Sequence, residues 1–201
     1  MKGEAVLERL MGRMAYKVVA VVAFSLLVAL AAKVRIPLPW TPVPITLQVL
    51  PVLLSGALMG PGLGAASMGL YLLLGLLGLP VFAEGGSGPA YFLGATGGYL
   101  LGFVAGSSIV PWVRDLVRPL IRSRPAGTMA GCIAGIVVIY ALGCLWLWWW
   151  HLGRGEAVGL LEVLAEGALP FIGVDMLKAM VVVGLDSVAV WAMGRGERAG
   201  F

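Results

Sequence analysis

Apolar residues run along this chain in six long stretches, and between them the sequence turns abruptly to Pro, Gly or Arg. About 20 apolar residues in a helix cross the hydrocarbon core of a bilayer. The pattern therefore predicts six transmembrane helices, over about 16–33, 45–59, 63–79, 96–112, 127–150 and 168–193. The breaks carry as much information as the runs. Between Arg35 and Pro44 the four prolines rule out a regular helix, because each fixes φ and removes a donor. Gly60-Pro61-Gly62 closes span two, Pro80 ends span three, and a Gly-rich segment from Val81 to Ala95 leads into span four. Arg114, Arg118, Arg122 and Arg124 make a basic loop after span four, and Trp146, Trp148, Trp149 and Trp150 close span five. Nothing resembles a polar linker, so residues 1–201 read as one integral membrane domain: an all-α, six-helix bundle. The first apolar run lacks a clean small-residue cleavage site and reads as an uncleaved helix. No pair of matching broken helices marks an inverted repeat.

Composition supports this reading and closes off others. The chain is 60% hydrophobic and 12% charged, against about 25% charged in soluble domains. Its net charge of +4 is spread over short loops without an aromatic-basic stripe, which argues against nucleic acid. An even number of spans puts both termini on one side, with the 60–62 turn and the basic loop. Lys2, Arg9, Arg13, Lys17, Arg114, Arg118, Arg122, Arg124, Arg195 and Arg198 fall on that side, against Lys33, Arg35 and Arg154 opposite. The positive-inside rule then places both termini in the cytoplasm and the tryptophans at the outer interface. Cys132 and Cys144, roughly 18 Å apart on one helix, read as reduced packing residues.

Three features fall on the outer half of the bundle: the Pro-rich segment 36–46, the Gly-rich segment 84–98 and the start of span six. Irregular backbone at membrane depth persists only where protein or a water-filled cavity satisfies its polar groups. These segments predict either a lidded cavity open to the outside or plain external loops. Asp175 and Lys178 lie inside span six at i,i+3, on one helix face. Ionisable groups at that depth cost about 2.5–3.5 kcal/mol each and mark functional sites by default, the alternative being a mutual ion pair that only settles the helix. Asp186, near the cytoplasmic end, reads as structural. Glu84, Ser87, Tyr91, Thr96 and Tyr99 decorate the Gly-rich segment, where Gly86 and Gly97 let backbone approach a ligand closely. Thr46 and Gln48 add neutral hydrogen-bonding groups at the mouth of span two.

Other chemistry finds little support. An intramembrane hydrolase would need a serine and a histidine meeting inside the bilayer; Ser87 and His151 are the candidates, and neither sits in a span interior. Metal-ligand spacing of Cys and His is absent. A P-loop requires Gly-Lys-Ser/Thr, which none of Lys2, Lys17, Lys33 and Lys178 provides, so uphill transport would draw its energy from another subunit or an ion gradient.

Four segments in order carry a resemblance: Pro42-Val-Pro-Ile-Thr-Leu-Gln48, Leu70-Tyr-Leu-Leu-Leu-Gly-Leu-Leu-Gly-Leu-Pro-Val-Phe82, Gly94-Ala-Thr-Gly-Gly-Tyr-Leu-Leu-Gly-Phe103 and Leu169-Pro-Phe-Ile-Gly-Val-Asp-Met-Leu-Lys178. Over roughly 16–193 the chain resembles the BioY family, the biotin-binding S components of energy-coupling factor (ECF) transporters. The resemblance implies a prokaryotic cell-membrane protein that takes biotin from outside into a cavity near the outer face. It also implies a partner module of one transmembrane coupling protein and two ATPases, with no cofactor on this chain and no catalysis by it. Binding roles carry over to the segment after span three, to Thr96-Gly-Gly-Tyr99, and to Asp175 and Lys178. The coupling face on span one is carried here by the small pair Ser25 and Ala29. An S component for another small vitamin is the nearest alternative. Two positions depart from the family's pattern: Ala95 replaces a proline, and Ala83-Glu84 stands where an amide is usual in a chain without asparagine.

Overall fold

A computed structural model describes residues 2–198, with side chains from 14 to 192. Helix α1 (Lys2–Ala31) leads into a two-residue antiparallel ribbon, β1 (Arg35–Ile36) and β2 (Ile45–Thr46), paired Arg35 to Thr46 and Ile36 to Ile45. Then follow α2 (Val49–Met59), α3 (Pro61–Leu76), the short α4 (Gly88–Phe92), α5 (Gly97–Ile121), α6 (Arg124–Gly153), α7 (Leu160–Gly167) and α8 (Ile172–Arg198). Each of the six expected spans is a helix, but their lengths differ from expectation. Among the described residues three helices are long and apolar enough to cross a bilayer: α1 from Met14, α5 and α6. The α7–α8 pair, bent by 48°, makes a fourth.

α2 has 11 residues, about 16 Å of helix, and falls short of a roughly 30 Å hydrocarbon core. The Pro-rich segment expected ahead of it forms the ribbon and its turn. α5 runs nine residues past its expected end at 112, through Pro111 and Pro119, so the basic loop shrinks to Arg122-Ser123, with Arg122 at φ 51°. α7 was not foreseen: eight residues fall below the length at which apolar periodicity is readable.

Small residues set the helix spacing, as they do where lipid removes any hydrophobic drive between helices. Gly98, Gly102 and Gly106 repeat every fourth residue along α5 and face α6. A Cβ on Gly131 would lie 2.2 Å from the Val110 carbonyl oxygen, and one on Gly56 would lie 1.9 Å from that of Ser107. Outward, Leu26 and Leu30 of α1, Val137 and Leu145 of α6, and Val188 of α8 are exposed, as lipid-facing residues should be.

Polar ties pin the two ends. At one end Asp186, fully buried, accepts from Arg124 Nε (3.1 Å), Arg124 Nη2 (2.9 Å) and Thr128 (2.9 Å), fastening α8 to the start of α6 in the structural role expected of it. At the other, the buried His151 meets Glu156 at 2.5 Å and Glu166 at 3.2 Å, tying the end of α6 to the following loop and α7. Hydrogen bonds from His151 and then Arg154 hold the Glu156 carboxyl below its ordinary value of 4.5.

Two measurements test these contacts. Gly56→Ala and Gly131→Ala lower the thermal midpoint, each at a cost of about 1–3 kcal/mol, whereas Gly62→Ala, where a Cβ meets nothing within 4 Å, leaves it unchanged. A carboxyl depressed by folding contributes stability that is complete above pH 4.5 and is lost as pH falls further. The midpoint of Glu156→Gln therefore falls less steeply than that of the wild type on acidification below that value.

Candidate functional site

The ribbon, the Gly-rich segment and the start of α8 close around one cavity. Val43, Pro44 and Thr46 come from the first, Ala83, Tyr91 and Thr96 from the second, Phe171, Asp175 and Lys178 from the third. Gln48, Val49, Tyr99, Leu100, Phe103, Ile139 and Tyr140 complete the wall. Its interior offers about 60 Å³ to water-sized occupants, and the space reaches about 560 Å³ counting the open mouth. One water needs roughly 10–15 Å³ on the first measure, so the hollow exceeds a hydration site. The cavity sits at the end of the bundle opposite the Arg124–Asp186 tie.

The charged pair lies at its floor. Lys178 Nζ donates to Asp175 Oδ1 at 2.6 Å and to the Thr46 carbonyl at 2.5 Å, while Tyr140 donates to Asp175 Oδ2 at 2.7 Å. Both ionised groups are at most 6% exposed. A buried ion pair survives only when further hydrogen bonds occupy its remaining groups, and Tyr140 and Thr46 supply them. Among the described residues one Lys178 proton and part of the carboxylate's lone-pair capacity have no protein partner. The i,i+3 spacing on α8 brings the two charges together, and α6 and β2 supply the rest.

Of the residues singled out from sequence, Thr46, Gln48, Tyr91, Thr96, Tyr99, Asp175 and Lys178 line the cavity. Glu84, Gly86, Ser87 and Gly97 do not. Glu84 turns outward to pair with Arg35 and so links the Gly-rich segment to β1. Gly86 lies beneath the Tyr91 ring, where a Cβ would come within 2.1 Å of it, and Gly97 packs on Phe92 and Trp146. Ser87 stands at the start of α4. Both ring nitrogens of His151 are engaged by Glu156 and Glu166, so among the described residues Ser87 and His151 are not joined by a hydrogen bond. Ser25 and Ala29 are buried inside the chain, 0% and 9% exposed. Within this chain their small side chains pack against its own helices.

Tyr140 is the residue that sequence reasoning missed. Phe103 and Phe171 add aromatic walls that also went unmarked. A lone tyrosine in an apolar run looks like core, and its only signal was a hydroxyl in the middle of a span.

Known proteins share both the sequence and this architecture. The BioY family's profile matches residues 5–195. The probable biotin transporter BioY of Pyrococcus horikoshii is 37% identical over 169 residues, which cover 84% of this chain and 93% of that protein. The biotin transporter BioY of Thermotoga maritima is 34% identical, covering 79% of this chain and 86% of its own length. The S component for biotin from an ECF-type ABC transporter, a solved structure, superposes with a TM-score of 0.76 at 27% identity, covering 87% of this chain and 90% of that one. A profile match over nearly the whole chain, and relatives this similar over most of their length, establish that this all-helical membrane protein belongs to the BioY family, a family of transporters and not of enzymes.

Proposed function

We propose that this chain is the substrate-binding subunit for biotin uptake, an S component that captures biotin in the cavity floored by Asp175 and Lys178. The observation that carries the reading is a buried ion pair left incompletely satisfied at the bottom of an aromatic-walled hollow, in a chain whose relatives are biotin transporters. The ureido ring of biotin carries two N–H donors and a carbonyl, which suit a carboxylate acceptor beside an ammonium donor. Its thiophane ring and aliphatic tail suit Phe103, Tyr99 and Phe171. Tyr91 and Thr96 offer hydroxyls nearer the Gly-rich rim. A site of this kind rejects analogues that leave its buried polar groups unpaired.

Orientation follows from charge. With both termini and the Arg114–Arg124 end in the cytoplasm, the cavity faces outward and receives its ligand from outside the cell membrane. The chain has no nucleotide-binding motif, so release inward is driven by a partner module, with one transmembrane coupling protein and two ATPases hydrolysing the ATP. The face that meets this module lies on α1, beside the small pair Ser25 and Ala29.

Two variants test the site. Equilibrium binding to the purified chain in detergent gives one biotin per chain, and Asp175→Asn weakens it about ten- to a hundredfold, as expected for loss of a charged hydrogen bond; unchanged affinity removes Asp175 from the site. Tyr140→Phe leaves one carboxylate oxygen without its donor and weakens biotin about three- to tenfold, with competition by other vitamins reporting whether biotin is the preferred guest.

A further inference from the structure

We propose that Tyr71, which does not line the cavity, is a positioning residue that fixes the polarity of the Gln48 amide and so makes the ligand's N–H group a requirement at that wall. The inference rests on the biotin reading given above and adds to it the source of its selectivity.

Tyr71 lies on α3 and is completely buried. Its ring meets Phe82 edge-on, with centroids 5.5 Å apart at 79°. Its hydroxyl lies 2.7 Å from Gln48 Nε2 and 3.3 Å from the Val81 carbonyl oxygen. A phenol has one proton to give, and a carbonyl can only accept. Among the described residues no other group donates to the Val81 carbonyl. The Tyr71 proton therefore goes to Val81, and its oxygen is left to accept from Gln48, which must turn its NH₂ toward α3. The planar amide then points its carbonyl oxygen the other way.

That oxygen has no donor in the described protein. Gln48 is 3% exposed and lines the cavity, yet among the described residues the sealed, unpartnered side-chain atom is the Ser25 hydroxyl and not Gln48 Oε1. The Gln48 oxygen thus reaches the hollow as an acceptor. The same cavity is lined by the Asp175 carboxylate, also an acceptor, and by Lys178, whose Nζ is held by Asp175 and by the carbonyl of Thr46 two residues before Gln48. Two acceptors and one donor match the two N–H groups and the carbonyl of a cyclic urea. Were the Gln48 amide free to flip, its NH₂ could face the ligand, and a ring oxygen or an N-alkyl group would be tolerated better.

The test is a binding cycle on the full chain in detergent, using biotin and a biotin methylated on one ureido nitrogen as probes. Tyr71→Phe keeps the ring and removes only the hydroxyl. It weakens biotin about tenfold, while the penalty for N-methylation shrinks. Gln48→Met weakens biotin comparably, and adding Tyr71→Phe to it costs little more, because the two residues act as one unit. Thermal melts taken alongside confirm that each variant is folded, and Tyr71→Leu, which empties the pocket, serves as the contrast for a purely structural effect: it lowers the midpoint more than Tyr71→Phe does. The inference is overturned if Tyr71→Phe keeps the wild-type preference for the unmethylated ligand, or if the two substitutions add independently. Failure of the wild type to bind biotin at all overturns the biotin reading itself, and this inference with it.

Discussion

Hydrocarbon supplies no hydrogen bonds, and that constraint organises this molecule more than any single contact. Three stretches of the chain interrupt regular helix around the cavity: the ribbon before α2, the segment between α3 and α5, and the junction where α7 ends and α8 begins. Their carbonyls cannot go unpaired there without a cost of several kcal/mol each. In every stretch a side chain from a neighbouring element reaches across to pair one. Lys33 takes Pro80 (2.6 Å), Trp146 takes Gly94 (2.9 Å), Tyr99 takes Gly167 (2.7 Å), Tyr71 takes Val81, and Lys178 takes Thr46. The irregular segments are held open as walls by these donors, and the cavity is the space that results.

Tyr99 and Lys178 belong to both lists: they brace irregular backbone and they line the hollow. The same economy appears in Gln48 and Tyr71, where a bond that steadies Val81 also orients an amide toward the cavity. Packing adds a second layer. Glycines on α5 and α6 let those helices approach at backbone distance, so the tyrosines they carry, Tyr99 and Tyr140, are projected from a rigid pair. A Cβ on Gly143 would strike the Tyr99 ring at 2.3 Å, so the position of that ring is set by the absence of a side chain opposite it.

Much of this could be read along the sequence because the apolar runs and the charged exceptions within them are strong signals. Asp175 and Lys178 stand out in α8 as charges within an apolar run. Other features left no such mark. Arg114 and Arg118 read as a basic loop after residue 112, but α5 continues through them to Ile121. α7 is too short to show a period. Ser25 and Ala29 form a small-residue pair, and such a pair announces a close contact without saying whether the neighbour is the same chain or another. Glu84 stood in the right segment, yet Arg35 draws it to the surface. Tyr140 was hidden because an aromatic ring in an apolar run fits a core as well as a site. In each case the missing information was which way a side chain faces, which depends on tertiary partners.

The bond from Lys178 to Thr46 joins positions 132 residues apart. It has a consequence for biogenesis. A membrane protein emerges from the ribosome in order, so the 171 residues before α8 precede it into the bilayer with the Thr46 carbonyl and the Tyr140 hydroxyl still lacking their final partners. α8 brings the aspartate and the lysine last, as a ready-made neutral couple at i,i+3, into a place where both complements are already present. The charged part of the cavity wall is thus complete only once α8 is in place, because Asp175 and Lys178 both come from that helix.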